Sequence, residues 1–131
     1  KSFYIENNST NTVLTLSEYT GLEYASRFSA NWFIPSPNSL DEEDYQHYWQ
    51  LMGDYLANDL NTYKPEIVML IDNDKFLTIA RSFANHKNFQ DAMSHYTYQE
   101  DYVSPDILFG VERVTGNKEV THKIYRRNKG E

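Results

Sequence analysis

The chain has 131 residues, a formal net charge of −7, 40% hydrophobic and 24% charged residues, and no cysteine. That balance excludes wholesale disorder and predicts one core in a single domain spanning residues 1–131, while the acidic excess argues against general nucleic-acid binding, which depends on Lys and Arg neutralising phosphates. Without Cys there is no disulfide, thiolate metal site or cysteine nucleophile, and no run approaches the roughly 18 apolar residues of a membrane span.

Phe3-Tyr4-Ile5 and a polar stretch from Glu6 to Asn11 precede Thr12-Val13-Leu14-Thr15-Leu16-Ser17, whose β-branched and apolar mix predicts a buried strand. From Glu18 to Asn38 no period persists, although Tyr24, Phe28, Trp32, Phe33 and Ile34 lie there. Structureless connections of that length are rare in compact domains unless they carry function. Ser39 and Glu42 have capping-box spacing, and Asp41 to Asp44 suit the positive end of a helix dipole. The predicted helix carries Tyr45, Tyr48, Trp49, Met52, Leu56 and Leu60 at three- and four-residue steps until Pro65 stops it. Tyr48, Met52 and Leu56 are expected to face the sheet.

Ile67 to Ile71 reads as a central strand covered on both faces, parallel to and beside Val13 to Leu16 through a right-handed crossover. Short helices follow around Phe76 to Phe83 and from Asn88, the latter carrying Phe89, Met93 and Tyr96. The end predicts a hairpin of Ile107 to Val114 with Glu119 to Arg127 around Thr115-Gly116-Asn117-Lys118, with an extra strand near Tyr98 to Val103. The expected fold class is therefore α/β: a three-layer Rossmann-like sandwich with a short, mostly parallel sheet and a C-terminal β-hairpin.

Ligands in open α/β sheets sit beyond the carboxyl ends of the strands. This predicts a crevice where Ser17 meets Asp72 and Asp74. Two aspartates suit a hard cation, yet Asp72-Asn73-Asp74 is equally the chemistry of a turn and a helix cap, so no metal site is assigned. The missing Gly-rich loop disfavours nucleotides, and no cofactor is expected. His47, His86, His95 and His122 have no metal-ligand spacing and are expected at the surface or at helix ends. Residues 41–63 hold six acids and no Lys or Arg, whereas residues 113–131 hold six bases and two acids. Such asymmetry suits a charged partner or anionic lipid heads, and equally a basic edge strand.

Val13-Leu14-Thr15-Leu16-Ser17, then Ser26-Arg27-Phe28 with Trp32 and Pro35, then Lys64-Pro65-Glu66-Ile67-Val68, and finally Lys123-Ile124-Tyr125-Arg126-Arg127 occur in an order that spans nearly the whole chain. In that order the sequence resembles the soluble C-terminal domain of bacterial GT-C type membrane glycosyltransferases, the mannosyltransferase and aminoarabinose transferase-like group. The resemblance implies a domain excised from a longer membrane protein, on the periplasmic face of the inner membrane. The parent would take a sugar from a polyprenyl-phosphate carrier. In that family the catalytic carboxylate lies in a loop between early membrane spans, so no catalytic residue carries over and the domain alone is expected to be no enzyme. Its expected partners are the membrane-spanning part, polyprenyl-phosphate lipid or anionic lipid heads. Arg27 and Trp32 are the candidate contact residues, since Arg pairs with phosphate and Trp favours the membrane interface, although Trp32 equally suits a core position. The alternatives are an independent small-ligand or metal-binding module and a structural or interaction domain.

Overall fold

The computed structural model describes residues 2–6, 17, 18, 20–26, 41–72, 78–105 and 119–130. Over these the chain is mixed α/β. Strands β1 (Ser2–Ile5), β2 (Glu23–Tyr24), β3 (Ile67–Ile71), β4 (Tyr96–Pro105) and β5 (Glu119–Arg127) join helices α1 (Glu42–Tyr63), α2 (Ile79–Ser82) and α3 (Lys87–Met93).

Helix α1 starts at Asp41, whose carboxylate accepts the Asp44 N–H at 2.9 Å. The sequence pointed to Ser39 for this role, which lies outside the described residues. Lys64 ends the helix in a left-handed conformation (φ 47°), and Pro65 cannot extend it. Met52, Leu56 and Leu60 recur at four-residue steps and bury against Tyr4, Val68 and Leu70, with Tyr48 partly buried beside them. The expected sheet-facing stripe of α1 is the observed one.

The five strands form one sheet in the order β2-β1-β3-β5-β4. Strand β3 is internal, with Val68 and Leu70 in the cluster under the helices and Ile71 in a second cluster with Phe3, Ile5 and Val120. Burial on both faces is why its sequence is apolar without alternation. Strand β1 runs parallel to both β2 and β3, pairing Phe3 with Tyr24 and with Ile67. Strand β5 is antiparallel to β3 and to β4.

Three expectations are corrected here. The sheet is not mostly parallel, because the antiparallel ladders of β5 are the longer ones. The parallel neighbour of β3 is Ser2–Ile5, with β5 on its other side, whereas Val13 to Leu16 lies outside the described residues. The partner of Glu119–Arg127 is Tyr96–Pro105 rather than Ile107 to Val114, which is also outside them. The described helices all contribute to the cluster on one face.

At the corner of the three helices His86 caps α3, its Nδ1 accepting the Phe89 N–H at 3.2 Å. Asn88, the expected cap, lies inside the helix and donates to Asp54 at 2.8 Å. The other ring nitrogen of His86 donates to the Gln50 carbonyl at 3.1 Å, which fixes the neutral tautomer with hydrogen on Nε2. Trp49 packs edge-on against this ring at 4.9 Å and donates its indole N–H to the Ser82 carbonyl at 2.6 Å. Gly53 makes this approach geometrically feasible, because a Cβ there would lie within 2.8 Å of the imidazole Cγ.

Candidate functional site

The sheet order reverses direction at β1, since β2 lies on one side of it and β3 on the other. In open α/β sheets the carboxyl ends of strands flanking such a point are where ligands bind. Glu6 is the residue that leaves β1 at this end. Its N–H donates to the Met69 carbonyl at 2.8 Å, and its own carbonyl accepts from His122 Nε2 at 2.9 Å. Its carboxyl accepts the Ile71 N–H at 2.7 Å and the Ile79 N–H at 2.6 Å. One side chain thus joins the ends of β1 and β3 to the start of α2.

Glu6 is fully buried, and desolvation pushes its carboxyl up to about 8 against the opposing pull of the two amide bonds. Desolvation likewise lowers the imidazole of His122, which the bond to Glu6 partly offsets. Both groups are therefore held mainly neutral at pH 7. A proton stored on a carboxyl is the state a general acid needs, but Glu6 is closed to solvent and its oxygens hold backbone amides. Its chemistry here is that of a splint.

The interior beside it is polar as well. Tyr4 and Tyr24 stack with centroids 5.8 Å apart, and burial raises both phenols, helped by the nearby acids Glu6 and Asp59. Asp59 on α1 is buried and accepts from Ser26 Oγ at 3.2 Å. This network ties α1 to β1 and to the residues just after β2.

Asp72 follows β3 and is open to solvent, 3.7 Å from Lys123 Nζ. The same ammonium lies 3.5 Å from Asp101, and it is raised by those two acids, Asp101 foremost. Ser17, by contrast, donates to the Leu22 carbonyl at 2.6 Å, in the turn that leads into β2. Glu23 is level with Ser2 and Phe3 with Ile67, so Ser17 lies toward the amino ends of the strands. Asp72 is five residues beyond Ile67, about 16 Å along the strand. The expected crevice between Ser17 and Asp72 is therefore not formed. Asp74, Arg27 and Trp32 lie outside the described residues.

No known protein family, curated protein or solved structure matches the chain. No helix among the described residues is long and apolar enough to cross a membrane.

Sequence reasoning missed the features that organise this end of the sheet. Glu6 was taken as the first residue of a polar connection, although an acid directly after Phe3-Tyr4-Ile5 is a usable signal for a group carried inward by a strand. The histidines were expected at the surface or at helix ends; His86 is at a helix end as the α3 cap, though buried, whereas His122 is buried in mid-strand. The physical reason is that each neutral ring is bonded to backbone, which offsets the cost of burying it.

Proposed function

We propose that the chain is a non-catalytic accessory domain of a polytopic bacterial membrane glycosyltransferase of GT-C type, which draws its sugar from a polyprenyl-phosphate carrier. The ordered resemblance of the sequence carries this reading. Two of its four pieces meet in the sheet: Ile67 and Val68, which end one of them in β3, stand opposite Arg126 and Tyr125 of β5. The enclosure of Glu6 supports a domain without chemistry of its own, because the acid held at the strand ends serves backbone amides and meets no solvent. A three-layer Rossmann-like arrangement and a position on the periplasmic face of the inner membrane belong to the same proposal. So does docking on the membrane-spanning part or on anionic lipid heads, with Arg27 and Trp32 as the contact residues.

The test is transfer from a polyprenyl-phosphate-linked sugar by the full-length protein in membranes. Arg27→Ala and Trp32→Ala should lower transfer there while leaving the melting temperature of the domain nearly unchanged. Turnover of such a donor by the 131-residue chain alone would overturn the accessory role. A gene encoding no repeated spans of about twenty apolar residues would overturn the membrane assignment. An independent ligand module in the crevice of Ser17 and Asp72 has lost its geometric basis, because those residues lie toward opposite ends of the strands.

A further inference from the structure

Helix α3 has seven residues, too few for a helix to persist on its own hydrogen bonds, so its first turn depends on what holds it. His86 holds it twice. Its carbonyl accepts the Gln90 N–H at 3.0 Å, and its Nδ1 accepts the Phe89 N–H at 3.2 Å, a role that Ser, Asp or Asn usually fills. Unlike a hydroxyl or an amide, an imidazole in that place can be switched. It accepts only while neutral, because a second proton makes both nitrogens donors. Histidine is also the side chain whose ordinary charge change falls between about pH 5 and 8.

A partner for the charged ring is already in place. The Asp54 carboxylate of α1 stands 3.5 Å from Nε2, a second acceptor beside the Gln50 carbonyl that takes this N–H at 3.1 Å. The same carboxylate is held by Asn88 at 2.8 Å and by Gln50 at 3.0 Å, and it is partly open to solvent while the ring is closed. Among the described residues it is the charged group in ion-pair range of the ring. The other surfaces against the imidazole are uncharged: Trp49 and Gly53 from α1, and Phe83 at the end of α2 with ring centroids 5.7 Å apart. Arg81 of α2 is exposed, and the exposed Lys87 and Asp91 of α3 pair with each other at 2.7 Å.

We infer that His86 is an acid-operated latch: a second proton moves its ring from capping α3 to pairing with Asp54 of α1, and frees the first turn of α3. The ion pair takes over what the cap loses, so the event is local to this corner and leaves the rest of the fold in place. Phe89 and Gln90 of that turn also line the open groove beside Leu70 and Tyr125, so acid reshapes one wall of it.

The test is NMR of the purified protein from about pH 8 to about pH 5, following the His86 ring nitrogens and the exchange protection of the Phe89 amide. Ring resonances separate His86 from His47, His95 and His122. As the His86 ring gains its proton, Phe89 protection is expected to fall about tenfold, while far-UV circular dichroism stays nearly unchanged. In His86→Asn the side-chain oxygen caps at every pH, so the Phe89 amide should stay protected throughout. Asp54→Asn keeps an acceptor for Asn88 and Gln50 and removes the charge, so the transition should move to lower pH. The latch is overturned by a ring that stays neutral across the range, by Phe89 protection that does not follow the ring, or by the same pH dependence in His86→Asn. A transition at unchanged pH in Asp54→Asn would overturn the exchange of partners.

Discussion

Gly53→Ala probes the helix corner with the addition of a single methyl group. The new Cβ would stand 2.8 Å from His86 Cγ and closer still to Cδ2 and Nε2. The ring has little room to retreat, since its nitrogens are bonded to Gln50 and Phe89 and its faces meet Trp49 and Phe83. Either the imidazole swings out and α3 loses its cap, at about 1–2 kcal/mol, or α1 and α3 move apart, at about 1–3 kcal/mol for overpacking. Against this, Ala is favoured over Gly within a helix by about 1 kcal/mol. The net expectation is a loss of up to about 2 kcal/mol by urea denaturation. The decisive measurement is the double-mutant cycle with His86→Ala, where the obstacle is gone and Gly53→Ala should be neutral or stabilising. Equal cost in both backgrounds, or a more stable single variant, would refute the steric account.

Leu56→Ala should cost about 2–5 kcal/mol, because the side chain is fully buried in the cluster between α1 and the sheet; a loss under about 1 kcal/mol would contradict its position. The carboxyl of Glu6 is raised from 4.5 to about 8, so the native state retains a proton that the unfolded chain has released, and stability should fall as pH rises through that window. Glu6→Gln should remove this slope while costing about 1–3 kcal/mol at low pH, since its NH₂ cannot accept one of the two backbone amides; an unchanged slope would sink the assignment. His122 is lowered from 6.5, so on unfolding it takes up a proton below that value, and stability should drop as pH falls through it. That opposite slope should persist in Glu6→Gln and vanish in His122→Phe when thermal melts are followed against pH.

The legible parts of the sequence were those where one period held long enough to dominate. Helix α1 shows its apolar stripe, its acidic first turn and its proline stop. Strand β3 shows a five-residue apolar run that only burial on both faces explains. Strand β1 has four residues, no alternation and a polar continuation, so its internal place in the sheet depends on two partners, β2 and the far more distant β3. The mixed direction of the sheet was hidden for a related reason. Nothing in Glu119–Arg127 distinguishes a strand paired to its neighbour in sequence from one inserted between β3 and β4. Asp72 stands just beyond β3, as a turn acid after a strand is expected to. The Ser17 half of the crevice failed because the strand expected to end there is not the one that pairs with β3.

The position of β1 has a consequence for synthesis. Phe3, Tyr4 and Ile5 leave the ribosome long before Ile67, Val68 and Met69, the residues they pair with. At about 5–20 residues per second, the interval from Phe3 to Ile67 lasts roughly 3–13 s. During that time the short apolar, aromatic strand has only the two-residue β2 to pair with, and such a segment is an aggregation hazard until its other edge is covered. The sheet can close around β1 only after both β2 and β3 exist, and β5 must then add to the far edge of β3. Strand β1 thus waits for a partner made more than sixty residues later, which makes nascent-chain handling a step exposed to failure.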